Sequence, residues 1–566
     1  MNRKLYGIFL APVFLALSFL MGCGSSSHKT TTTPPPPPAT TPFAFYLSGM
    51  EAINSGPNYY ALAGAVTIDS SGNVTAGEQD YNDGFGITSP QPSGDSITGG
   101  TLTVDPTTGQ GTLTLITNNT NVGVSGTETL GVQFVNANHA LIAQFDGSAT
   151  SSGSMDLQTL STAPSGGFAF TMTGVDPSYN PIAFGGVFTL PSATTDEVDV
   201  NDNGTTQAAL PLTVSLGTAD AFGRGVVTSS AMYNGTPILL NYYVVGSEAI
   251  RIIDVDPSTS TGPSDVAVGS AFGQGTNATG GADASLVNSA FAISADPFGS
   301  SYGVAGQIVT TPAGGTYSGV AEDVELDTPF ISGLASVIVG SYSIAANGYG
   351  SMTVAGFGGG NVHTLQVYAT DPTLNLNDPN NTTTDVGGAL LLDFDAALSG
   401  GTGVAVPQTD NTSTDFNGTY TAAWQDFNNF ESGCGDCEFD MVSQGTMASG
   451  GALSLTGLVS DPFETLGAGA TTATGATFTS TPLPDSVNAG RFTMLSTNTP
   501  ANPLVGAITS TDSGSLDAII YQASASQLFW LEYDLTSVFV GPIEGQTSLT
   551  GIPAVARSEK AQAKQK

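Results

Sequence analysis

From Thr112 to Leu115 the chain reads Thr-Leu-Thr-Leu, polar and apolar in strict alternation. A period of two marks a β-strand with one wet face and one buried face. Short stretches of this kind recur along the chain, separated by polar segments that contain glycine. Within residues 43–160 the pattern predicts eight strands, near Phe43, Ala61, Val74, Thr101, Thr112, Leu130, Leu141 and Met155. Short turns between neighbours favour an antiparallel meander, closed as a barrel or flattened as a sandwich. Long helices need runs of Ala, Leu, Glu, Lys and Arg, and none occurs beyond Gly22.

The pattern also repeats on a larger scale. A unit opens with "FAFYLSG" at Phe43, "FAFTMTG" at Phe168, "FAISA" at Phe291 and, more weakly, "FNGTYTA" at Phe416. It closes with an apolar run into aspartate: "ALIAQFD" to Asp146, "AIRIIDVD" to Asp256, "ALLLDFD" to Asp395 and "LFWLEYD" to Asp534. Between them stand "TGQGTLTL", "FGRGVVT", "NGYGSMTV" and "NAGRFTM". These landmarks keep one order four times, and each unit has the length of a small all-β domain. A strand-turn-strand stretch from Leu62 to Asp80 reads onto Val304 to Glu322 without a gap. The expected fold class is therefore all-β: about four tandem antiparallel domains of about eight strands, at residues 43–160, 161–280, 281–405 and 406–550. A propeller would need a period of about 40 to 50 residues, which is not present; a transmembrane barrel is possible on strand length, but it needs aromatic girdles and is not normally lipid-anchored.

Gly109-Gln110-Gly111 has the composition of a phosphate-cradling loop. Such a loop runs into a helix N-terminus, whereas this one runs into an alternating strand. Its glycine is expected to supply the positive φ of a hairpin turn or bulge.

Composition narrows the partners. Hydrophobic residues make up 40% of the chain and charged residues 10%, so cores can form. Between Lys29 and Arg557 there is no lysine and only three arginines, Arg224, Arg251 and Arg491, against 46 acids. Such a body repels nucleic acid, whose binding needs a basic footprint, and is repelled by anionic headgroups. A uniformly acidic surface keeps a β-rich protein soluble. Scarce charge also fits an acid environment, because few groups then titrate.

The N-terminus supplies an address. Arg3 and Lys4 precede an apolar run from Ile8 to Met21, too short for a spanning helix and suited to a signal peptide. The run ends in Leu20-Met21-Gly22-Cys23. This resembles the lipobox of bacterial lipoproteins, with Met21 departing from the usual small residue. The resemblance implies cleavage after Gly22, a lipid anchor on Cys23, and attachment to the outer membrane or cell surface. Several acyl chains at about 0.8 kcal/mol per buried CH₂ hold a protein firmly. Residues 23–42, with five consecutive prolines, are expected to form an extended spacer. Residues 551–566 read as a basic, disordered tail.

Candidate chemistry is thin. His139 in "NANHA" reads as a surface turn residue, and His363, which opens a strand after "GFGGGNV", likewise reads as a surface residue and not a catalytic one. Cys434 and Cys437 are expected to form a local disulfide in an oxidising envelope; a redox pair would want a helix N-terminus. Glu78, Asp80, Asn82 and Asp83 occupy a place in repeat one that Asp199, Asn201 and Asn203 occupy in repeat two. Asp199, Asn201, Asn203 and Gly204 resemble the start of an EF-hand calcium loop, although position twelve is Leu210 and not an acid. These oxygens are candidates for weak Ca²⁺ binding, the one cofactor considered. Trp424, with Tyr420 and Phe427, is the candidate for an exposed aromatic patch, and Trp530 is expected in the core.

Together these features favour a non-enzymatic envelope lipoprotein with a structural, adhesive or binding role, whose partner beyond the membrane is a polysaccharide or a protein. The style resembles secreted bacterial repeat proteins, a likeness that carries no activity with it. One alternative is a carbohydrate-active hydrolase using paired carboxylates. Another is a lipocalin-like binder of small apolar ligands.

Overall fold

The computed structural model describes residues 39–556, apart from segments 54–55, 86–93, 234–235, 258–262, 281–285, 296–301, 312–314, 326–335, 358–360, 382–386, 396–399, 413–415, 429–436, 448–450, 464–471, 495–512, 515–517 and 533–536 and single residues 231, 287 and 554. The expected signal peptide, Cys23, nearly all of the spacer, Cys434 and the end of the tail lie outside the described residues, as do the Cys434–Cys437 pairing and the Phe427 side chain.

The fold is all-β, with four large antiparallel sheets in chain order. All eight strands expected in repeat one are present: Thr40–Ile53, Gly56–Asp69, Val74–Asn82, Asp95–Val104, Gln110–Thr117, Thr127–Asn136, His139–Gln144 and Ala149–Leu157. Each pairs with its neighbour, and the first pairs with the last, so the meander closes as a barrel. Repeat three closes in the same way. Repeats two and four curl similarly but remain open sheets. The alternation seen in sequence sets which face of the sheet is enclosed. Leu113 and Leu115 are fully buried in the barrel core with Phe45, Leu130 and Phe134, while Thr112 and Thr114 between them are partly exposed.

Strand pairing sets the repeats in register. Phe45 lies opposite Gly64, Phe170 opposite Gly186, Phe291 opposite Gly306, and Tyr420 opposite Gly445. The opening landmark thus aligns Phe291 with Phe45 and not with Phe43. In repeat four a tyrosine replaces the phenylalanine.

Residues 39–556 belong to one compact unit. Repeat one packs on two, two on three, three on four, and four on one, so the sheets form a ring. A single apolar cluster draws side chains from all four, among them Ala44, Ala169, Ala290 and Ile519. Leu374 and Leu376 join it from residues 370–388, a connection that only repeat three carries. Repeats one, two and four make the same connection with the short turns 137–138, 247–248 and 525–526. The expected disordered tail is ordered at its start. Leu549 and Ile552 pack on the core of repeat one, and Val555–Ala556 pairs parallel with Asp95–Val104. Burial of those two apolar side chains holds the last strand of the ring to its first barrel.

Candidate binding site at the junction of the four repeats

The glycine turn that marks the repeat register is where the repeats meet. Gly109, Gly223, Gly348 and Gly490 have φ of +74°, +78°, +81° and +88°, a region that L side chains avoid. Each also lies against a glutamine that directly follows the last strand of the preceding sheet: Gln546, Gln158, Gln274 and Gln408. Gln158 Nε2 donates to the carbonyls of Phe222 and Val244 at 2.9 and 2.7 Å, and Gln274 to those of Asn347 and Ala369 at 2.9 and 3.1 Å. Gln408 reaches Gln522 O at 2.8 Å, and Gln546 reaches Thr108 O and Phe134 O, both at 2.8 Å. One glutamine rung therefore crosses all four interfaces.

A second rung carries charge. The residue after the turn glycine pairs with one residue of the next strand: Arg224 with Tyr243, Tyr349 with Tyr368, Arg491 with Tyr521, and Gln110 with Gln133. Each pair faces the preceding repeat. Asp80 accepts from Arg224 Nε at 2.7 Å and from Tyr243 Oη at 2.9 Å. Asp199 accepts from Tyr349 at 2.9 Å and Tyr368 at 2.7 Å. Glu322 accepts from Arg491 Nε at 2.9 Å and from Tyr521. Burial raises the Asp199 and Glu322 carboxyls, although these donors pull the other way. At the fourth interface Thr456 holds the acid's position and Gln110 donates to its carbonyl at 3.2 Å.

The residues proposed for Ca²⁺ from sequence fall in these seams. Asp80 and Asp199 take the donors just named. Asn82 donates to the carbonyls of Asp254 and Asp265, and Asn201 to that of Asp393 at 2.9 Å. Glu78 Oε1 accepts from the Gly94 amide and lies 3.9 Å from Arg224 Nε, Asp83 Oδ1 accepts from the Phe85 amide at 2.8 Å, and Asn203 takes the positive φ of a turn. The first four residues and the last three belong to different repeats, so the structure does not bring the two sets together.

At the centre of the ring lies a cavity of about 320 Å³ lined by all four repeats, including Tyr46, Ser154, Arg251, Thr402 and Glu544. Each repeat contributes ionisable groups in or beside it. His139 Nδ1 lies 2.8 Å from Asp156 Oδ1, and its Nε2 lies 3.5 Å from Glu544 Oε1. Arg251 donates to Asp156, Ser154 and Ser270, and its guanidinium sits 4.6 Å above the Tyr46 ring. Asp378, from the long connection of repeat three, accepts from Asn136 at 2.7 Å and closes a cluster with His139 and Asp156. Burial alone would lower the His139 imidazole; Glu544 and Asp156 outweigh it and raise it. Burial alone would raise Asp156; Arg251 and His139 outweigh it and hold it low.

His139 is thus 1% exposed and opens the strand His139–Gln144, not a surface turn. Sequence reasoning missed it because a tight turn directly before the strand looks polar throughout. His363 is buried too, within the strand Asn361–Ala369. Trp424 is likewise buried, edge-on to Trp530 at 4.8 Å, and Tyr420 is buried beside it, so neither forms an exposed patch. The signal for Arg251 was legible. The closing landmark reads Leu141, Arg251, Leu390 and Phe529 at one matched position, and only repeat two is charged there.

No family model, curated protein or solved structure matches the chain.

Proposed function

We propose that the chain is a lipid-tethered binding protein of the bacterial envelope, non-catalytic, which takes a small polar, hydroxyl-rich ligand in the central cavity. The observation that carries this reading is Arg251. Structure alone would repeat a residue, yet the matched positions hold leucine or phenylalanine. Its Nε is buried in the cavity wall with no acceptor among the described residues, and an unpaired buried donor costs about 1–3 kcal/mol. A ligand oxygen at Nε would remove that cost. The cavity is of ligand size, since such sites begin at about 300 Å³, and serine and threonine hydroxyls surround it.

The rival readings have less support. The apolar interior of repeat two leaves about 30 Å³, room for water and not for a lipid chain. A serine triad needs a hydroxyl at the far nitrogen of its histidine, and Glu544 occupies that place on His139. In the mouth of repeat one, burial pushes Glu51 up to about 9 and Glu128 up to about 8. Both are then protonated at neutral pH, whereas glycoside hydrolysis needs one acid and one carboxylate.

The test is a screen of mono- and disaccharides by calorimetry against the mature chain and the double variant Arg251→Leu/Asp156→Val. The pair change copies repeat three, which has Leu390 and Val406 at those places, and keeps the buried charges balanced. The expected result is a binder for the wild-type chain that weakens at least tenfold in the variant; no binder, or unchanged affinity, overturns the cavity assignment. The tether is tested separately. Cys23→Ser is expected to move the protein from the membrane fraction to the soluble fraction, and unchanged fractionation sinks the lipid anchor.

A further inference from the structure

Each repeat ends its closing run in an acidic corner. The pairing sets Gln144, Asp254, Asp393 and Glu532 at one position, opposite Leu130, Leu240, Leu365 and Ala518. A second acid follows two positions on, as Asp146, Asp256, Asp395 and Asp534, the last outside the described residues. Repeats one and three neutralise this corner from within. In repeat one, Gln144 Nε2 donates to Asp146 Oδ2 at 2.6 Å. In repeat three, Tyr302 donates to Asp393, and His363 Nδ1 lies 3.0 Å from Asp395 Oδ2.

Repeat two does the opposite. It keeps both aspartates and adds a third acid, Asp265. One oxygen from each of Asp254, Asp256 and Asp265 lies within 4.8 Å of the others. Asp254 is fully buried. Its Oδ1 accepts from the Asp256 amide at 2.8 Å, and its Oδ2 has no partner among the described residues. The three arginines of the body are engaged elsewhere, on Asp80, Asp156 and Glu322. A buried, unpaired carboxylate beside two more acids is among the costliest arrangements a fold can keep.

We propose that Asp254, Asp256 and Asp265 hold a divalent cation, and that it is Ca²⁺. The spacing fits. Calcium takes oxygens at about 2.3–2.6 Å, which puts opposed ligands about 5 Å apart and adjacent ones closer. Magnesium demands a tighter octahedron and gives up its waters reluctantly. Asp256 is half-buried, so water completes the shell from that side. Asn82 of repeat one donates to the backbone carbonyls of both Asp254 and Asp265, each at 3.0 Å. The cation therefore also fixes the seam between repeats one and two. This inference is independent of the ligand proposed for the central cavity.

The experiment uses the mature chain stripped with a chelator, followed by calorimetry and thermal melting with CaCl₂ or MgCl₂. Calcium is expected to bind one per chain and to raise Tm. Asp254→Asn and Asp265→Asn are expected to weaken it at least tenfold. Both should also raise the Tm of the metal-free protein, because they relieve like-charge repulsion; a lost response then cannot be blamed on misfolding. Asp146→Asn, at the matched corner of repeat one, should leave calcium affinity unchanged. Neither heat nor a Tm shift at millimolar Ca²⁺ overturns the site, as does a full response in either asparagine variant. An equal response to Mg²⁺ overturns the choice of calcium.

Discussion

Gly223 shows how one residue serves two constraints. Its φ of +78° is costly for any residue with a Cβ, and an alanine there would bring its Cβ to 2.5 Å from Gln158 Nε2. The glutamine would have to leave two carbonyls of the next repeat. The residue that follows, Arg224, carries a cost of a different kind. Its pairing with Asp80 is buried, and breaking such a pair from one side typically costs about 3–5 kcal/mol, because the other charge is left uncompensated. The fourth interface offers an uncharged replacement in Gln110 and Thr456. Arg224→Gln alone is therefore expected to lower stability by about 3–5 kcal/mol. Adding Asp80→Thr is expected to restore part of that loss. Chemical denaturation of the single and double variants checks the sign of the coupling. A double variant less stable than Arg224→Gln alone contradicts the view that the buried charge is the source of the cost.

At the scale of strands, the alternation of polar and apolar residues was enough to place all eight strands of repeat one, because each barrel wall has one packed face and one wetter face. The turn glycines were legible as hairpin marks for the same reason: a strand follows them, not a helix. Their second role was not legible, because the glutamine each one meets comes from another repeat and is far off along the chain. Gln158 stands 64 positions from Phe222, and Gln546 stands 438 from Thr108. The acids Asp80 and Asp199 were picked out correctly as matched, and read as loop ligands. Their Arg and Tyr donors lie 144 to 169 positions further on, and local spacing carries no trace of them. The central site was legible only as an anomaly, an arginine where sister repeats carry leucine or phenylalanine. His139 and Asp378 converge on it through the ring, and the long connection of repeat three that delivers Asp378 has no counterpart to be compared with.

For the whole molecule, the distribution of charge has a consequence for pH. Between residues 39 and 556 the basic side chains are Arg224, Arg251, Arg491, His139 and His363, and all five are buried. The charged groups left at the surface of the ring are therefore acids. Buried acids behave differently from those at the surface. Burial pushes Glu51 up to about 9, Glu128 to about 8 and Asp393 to about 7. The folded chain then holds protons that the unfolded chain releases above its ordinary carboxylate range, so these groups lower stability as pH rises from about 4.5 to 9. The raised His139 imidazole acts in the same direction, because its contribution is full below 6.5 and is lost as pH rises through its folded value. Asp485, which burial would raise, is held down at about 2 by the amides of Val487 and Asn488, the Asn488 side chain and Arg491. Its contribution, like that of the lowered Asp156, is present above 3.8 and lost as pH falls towards 2. The two trends cross in mild acid. Melting of the metal-free protein across pH 3 to 9 is therefore expected to give the highest Tm near pH 4 to 5, with a steady fall towards pH 9. A maximum at pH 7 to 8, or a collapse between pH 5 and 4, would mean that carboxylates held below their ordinary range, not the raised ones, govern the stability of the ring.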